Sequence, residues 1–158
     1  MIHPHHISKT GYQIRCVVLI LAAFTPSLCW LSEGYLPSLS SYWRTPIQPL
    51  FIISNAITSF YLYSMIKWKY SALMLLALTA FSIDMYPISH NSLAILFFIV
   101  NLIPLYQANN FKFCFWLYGF SLLLLPYSMM YMETAAIIIL CLYHGLVLDK
   151  IYKLQKER

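Results

Sequence analysis

Six apolar stretches fill most of the 158 residues, and lysine and arginine fall almost wholly in alternate gaps between them. Lys9 and Arg15 precede the first stretch, Lys67 and Lys69 separate the second from the third, and Lys112 separates the fourth from the fifth. Lys150, Lys153, Lys156 and Arg158 follow the sixth, and only Arg44 occupies the other set of gaps. Taken as two sides of a bilayer, the count is nine cations against one. That asymmetry follows the positive-inside rule and predicts six crossings with both termini cytoplasmic.

Composition supports the same fold class. Hydrophobic residues make up 61% of the chain and charged residues 9%, where a soluble domain carries about a quarter charged residues. The spacing predicts an all-α, polytopic membrane bundle with transmembrane helices near 14–31, 47–66, 70–86, 92–106, 111–126 and 133–151. The membrane domain is thus 14–151, between a polar tail at 1–13 and a basic tail at 152–158, with no length left for a soluble domain. The net charge of +5 does not indicate nucleic acid, because the cations sit at helix ends where topology and anionic headgroups place them. The expected partners are the lipid bilayer and a membrane protein or a second copy of the chain. The four cysteines show no CxxC spacing and no disulfide framework. The first stretch ends in Trp30-Leu31-Ser32-Glu33 rather than a small-x-small site, so it reads as a retained span.

The polar residues within this apolar background are few. His3, His5 and His6 lie in the N-terminal tail, where a short His tract binds metal weakly at most. The outer loop 32–45 is rich in Ser, Pro, Tyr and Trp, as expected of a segment lying in the membrane interface. In the second stretch Ser54, Asn55, Thr58 and Ser59 fall on one flank of a helix and are expected to face neighbouring helices.

The acidic residues divide by side. Asp149 and Glu157 lie among the C-terminal lysines, whereas Glu33, Asp84 and Glu133 all map to the outer side together with Arg44 and His90. Ionisable groups at membrane depth are costly and usually face a protein interior or a wet cavity. An outward-facing polar cluster of Glu33, Arg44, Asp84, His90 and Glu133 is therefore the candidate site. Structural roles compete with it: Asp84 within a turn of the third helix end, His90 in the turn opening the fourth helix, Glu133 as a charge at the start of the sixth. His144 lies eleven residues after Glu133, nearly on the same helix face and about 16 Å deeper. It is a candidate intramembrane proton or packing site, in line with Glu133 and Leu140.

Nucleophile elbows, HExxH and phosphate-cradling glycine loops are absent from the sequence. The string Pro37-Ser38-Leu39-Ser40-Ser41-Tyr42-Trp43-Arg44-Thr45 resembles the P-S-[IL]-S-x-Y-[YW]-x-T segment of bacterial multi-pass proteins distantly similar to the CREST superfamily of membrane hydrolases, which includes alkaline ceramidases and the adiponectin-receptor group. His90 and Glu133-Thr134 stand where those bacterial proteins carry a His at the start of a middle helix and a Glu-Thr at the start of the last. The resemblance implies zinc held by a Ser-x3-His segment, an Asp and a His-x3-His, and a bacterial inner-membrane location. Only Asp84 has a counterpart in that set. His144 lacks its partner because Leu140 and Leu148 flank it, and the chain is one helix short of seven.

Three functions follow as expectations. The first is a small multi-pass membrane protein without catalysis, serving binding, accessory or assembly roles. The second is a CREST-like, metal-assisted hydrolase of a lipid amide or ester, with Asp84, His90 and Glu133 as tentative zinc ligands. The third is a proton-coupled small-solute carrier using Asp84, Glu133 and His144.

Overall fold

A computed structural model of the chain describes residues 7–108 and 110–157; the tract His3, His5 and His6, and Arg158, lie outside the described residues. Those residues contain no strand and form six α-helices: α1 (Lys9–Glu33), α2 (Gln48–Tyr63), α3 (Lys69–Ala80), α4 (Pro87–Gln107), α5 (Lys112–Leu122) and α6 (Met129–Lys156). Two 3₁₀ segments, Leu39–Arg44 and Ile66–Trp68, join them.

Each apolar stretch forms one helix, but three of the helices are short. By length and apolar composition, α1, α4 and α6 are able to cross a membrane. The remaining helices, α2, α3 and α5, have 16, 12 and 11 residues, against about 20 for a bilayer core. Local chemistry explains the shortening. The third stretch was expected to remain helical to 86, yet α3 stops at Ala80. Beyond it the Ser82 hydroxyl accepts the backbone N–H groups of Asp84 and Met85, at 3.2 and 3.3 Å, and so competes with helix continuation. Asp84 therefore lies outside the helix rather than inside its end. After Leu122, bonds from Leu123, Leu124 and Leu125 to the carbonyls three residues back tighten the end of α5 towards Pro126, which has no N–H to donate.

The long helices begin earlier than the hydropathy pattern indicated. Ser8 caps α1 by accepting the Gly11 N–H at 3.0 Å, so Lys9 to Gln13 are helical rather than part of a tail. Pro87 occupies the first position of α4, where its missing N–H costs nothing. Ser128 caps α6, placing Glu133 in the second turn rather than at the start. At the far end α6 continues to Lys156, taking in most of the residues expected as a basic tail.

Each helix packs against the next in sequence, and α6 returns to α1, so the six form a closed ring in chain order. Short connections impose this up-and-down arrangement. At one end Tyr12 stacks on Tyr152 with ring centroids 4.3 Å apart, and the Ile7 N–H donates to Gln155 Oε1 at 3.1 Å. The described beginning and end of the chain therefore lie together. Polar side chains join helices along the ring: Thr25 to Ser54 at 2.7 Å, Ser59 to the Ala72 carbonyl at 2.7 Å, and Tyr118 to the Phe98 carbonyl at 3.0 Å. Ser54 and Ser59 thus face neighbouring helices as their spacing predicted.

Large apolar side chains such as Val17, Leu31, Ile103 and Trp116 cover the outside of the ring. Inside, Leu105, Ala136 and Tyr118 are almost fully enclosed. Leu105→Ala is expected to cost about 2–4 kcal/mol, chiefly from the cavity left behind. Leu96→Ala, on the half-exposed outer face, should cost well under half of that. Unfolding of the detergent-solubilised protein by titrated dodecyl sulfate measures the difference.

Candidate functional site

The loop after α1 closes one end of the ring. Gly34 ends the helix with φ +77° and ψ −177°, a conformation that side chains disfavour, and this turns the chain back over the bundle. The segment Leu39–Arg44 then packs inward. Tyr42 is fully enclosed and its hydroxyl donates to the Gly34 carbonyl at 2.7 Å; Leu39, Ser40 and Trp43 are also buried. Burial raises the Tyr42 phenol above its ordinary pKa, so it remains a donor at neutral pH. The loop expected to lie flat in the membrane interface is therefore a plug, because its aromatic and leucine side chains find a more complete apolar contact inside the ring than at its rim.

The candidate site residues hold this plug. Glu133 is 4% exposed, and its Oε2 accepts the Leu39 N–H at 2.7 Å. Next to it, the Met130 N–H donates to the Pro37 carbonyl at 3.0 Å, and Tyr35 and Ser128 join hydroxyls at 2.7 Å. His90, 1% exposed, lies in the first turns of α4 rather than in the preceding turn. Its Nδ1 lies 2.6 Å from the Phe81 carbonyl and its Nε2 lies 2.8 Å from Ser40 Oγ. A carbonyl only accepts, so Nδ1 carries the proton. One imidazole thereby joins the chain leaving α3, the beginning of α4 and the plug.

Arg44 pairs with Asp84 through its Nε, at the exposed edge of the plug. The two side chains are 65% and 47% exposed, so this pair contributes little to stability. Glu33 stands apart from these bonds: its Oε1 accepts from the adjacent Ser32 hydroxyl at 3.1 Å. The cluster read from the sequence is thus two buried fasteners, one surface ion pair and a half-exposed end-of-helix carboxylate.

A zinc centre does not fit these residues. Both ring nitrogens of His90 are taken by Phe81 and Ser40, the Asp84 carboxylate faces Arg44, and Glu133 binds a backbone N–H. Among the described residues no three His, Cys, Asp or Glu side chains are grouped to hold a metal ion. The tentative ligand set Asp84, His90 and Glu133 is not assembled, because Glu133 and His90 are bonded to separate pieces of backbone and Asp84 to the Arg44 side chain.

His144 is separate from the plug. It lies deep in the ring, with Trp68 against it at 4.3 Å and Tyr61 and Tyr143 edge-on at 5.5 and 5.3 Å between ring centres. Its Nε2 is buried without a hydrogen-bond partner. Trp68, 4% exposed, enters from the α2–α3 connection and closes the ring from that side. The structure therefore places His144 at the floor of the ring and Glu133 at its roof.

The sequence analysis missed Ser40, the Leu39 N–H and the Phe81 carbonyl as partners. Backbone groups carry no residue-type signal, so two of these three were not readable. The Ser128 cap was readable: a serine immediately before an apolar helical run marks a helix start. With that start, Glu133 moves one turn into the helix.

Fastening predicts a graded response. Glu133→Ala leaves the buried Leu39 N–H unpaired and is expected to cost about 1–3 kcal/mol, whereas Glu133→Gln keeps an acceptor and should recover most of it. Arg44→Ala is expected to cost less than about 1 kcal/mol. Thermal unfolding of the three variants in one detergent separates these outcomes; equal losses for Gln and Ala would contradict the fastening role.

No family model, curated protein or solved structure is significantly similar to this chain.

Proposed function

We propose that this is a small multi-pass membrane protein that acts by binding or assembly rather than by catalysis, with six crossings and both termini cytoplasmic in a bacterial inner membrane. One observation carries the non-catalytic reading: the polar groups that a hydrolase would need at the outer end are already committed to holding the plug. A catalytic base must be able to reach a substrate proton, and His90 and Glu133 are instead enclosed and bonded to backbone or serine.

The cation distribution supports the orientation. The shared end of α1 and α6 supports an even number of crossings. The shorter helices complete a crossing together with their 3₁₀ and turn extensions, and local thinning of the bilayer accommodates the remaining mismatch at modest cost.

Metal content tests the proposal. The full chain is purified in detergent with His3, His5 and His6 replaced by alanine, and zinc is measured by elemental mass spectrometry. The expected result is no stoichiometric zinc and no change in His90→Ala. About one zinc per chain, lost in His90→Ala, would establish a metal centre and overturn the reading. A cytoplasm-active fluorescent reporter at the C-terminus should be bright, and an export-dependent phosphatase inserted near Ser32 should be active.

A further inference from the structure

The ring is not filled between its roof and its floor. A partly open cavity of about 60 Å³ lies between the helices, lined mainly by α1, α2 and α6, with single residues from α3, α4 and the plug. Leu19, Phe51, Leu75 and Phe97 make its surface largely apolar, and no charged side chain lines it. Polar side chains also line it: Thr25 from α1, Ser54, Asn55, Thr58 and Tyr61 from α2, and His144 from α6, of which Thr25 and Ser54 bond each other. Among the described residues, Asn55 and Thr58 make no side-chain hydrogen bond within the protein, and His144 Nε2 makes none either. Ala22 and Pro26 also line the cavity. Pro26 has no N–H to give to the Ala22 carbonyl four residues back, so an acceptor on this wall is without its usual helical donor.

These features pull in two directions. An apolar cavity is a poor host for water, yet polar groups without partners are costly inside a membrane bundle. Both conditions are met by an occupant with an apolar body and one group able to donate and accept. At roughly 10–15 Å³ per water-sized unit, the volume suits about four to six non-hydrogen atoms.

We propose that this cavity is a binding site for one small uncharged molecule, apolar except for a single hydroxyl or amide that pairs with Asn55. The chemical class is a short-chain alcohol or amide. The inference rests on the binding reading above and deepens it by naming what is bound.

The test uses the full chain in detergent with 2,2,2-trifluoroethanol as probe and fluorine NMR as readout, at millimolar probe below the range that perturbs helices. The expected result is saturable line broadening that trifluoroacetate neither shows nor competes away. Ala22→Leu, which fills the wall, should abolish the saturable component. Asn55→Leu, which removes the amide at similar volume, should weaken binding about fivefold, the equivalent of one hydrogen bond. Each variant is first checked for an unchanged elution profile and unfolding midpoint. Should Ala22→Leu fail that check, Asn55→Leu decides alone. Broadening that never saturates and is identical in every folded variant would mean partition into the micelle and overturns the proposal. Equal binding of trifluoroacetate overturns it as well. The zinc measurement is independent: zinc-free protein that binds no trifluoroethanol defeats the ligand assignment alone, whereas stoichiometric zinc defeats the non-catalytic reading.

Discussion

A carboxylate almost fully removed from solvent, accepting one backbone N–H across 2.7 Å, joins the last helix to the loop after the first. The bond between Glu133 and Leu39 matters because of what surrounds it. A bilayer offers no water to an unpaired amide, so backbone that leaves a helix near membrane depth must find its partners within the protein. The 3₁₀ segment Leu39–Arg44 is such backbone. Its Leu39 N–H meets Glu133, its Ser40 hydroxyl meets His90, its Tyr42 hydroxyl meets Gly34, and its apolar side chains complete the end of the ring.

The same constraint accounts for His90. The helix α3 ends early, and one of the carbonyls beyond it, that of Phe81, would face a largely apolar environment. His90 meets it from the next helix and reaches Ser40 with its other nitrogen. The chain leaving α3 and the plug are thus fastened to α4 at one end, while the opposite end is closed by Trp68 against His144. Between these two ends lies the partly open cavity that Leu39 and His144 both line.

Much of this architecture was legible in the chain. The alternation of apolar stretches with cation-bearing gaps marked six helices, and each stretch became one. The Ser54 and Ser59 spacing marked a helix face that meets its neighbours, as their bonds to Thr25 and Ala72 show. Among the ionisable residues singled out in the gaps, Glu133 and His90 are buried and bonded, and Arg44 pairs with Asp84. Their grouping into a ligand set did not follow, because the sequence places Asp84, His90 and Glu133 at the same end without telling which backbone group each one meets.

The sequence by itself determined the helical class, the number of helices and the residues too polar to face lipid. These depend on composition and periodicity, which act locally along the chain. Tertiary structure alone decided that the loop 32–45 turns inward as a plug, that Glu133 meets Leu39 and His90 meets Phe81 and Ser40, and that a cavity persists between Leu39 and His144. Those outcomes depend on contacts between residues far apart in sequence, such as Leu39 with Glu133 and Ser40 with His90, and on how completely six helices of unequal length fill the ring they enclose.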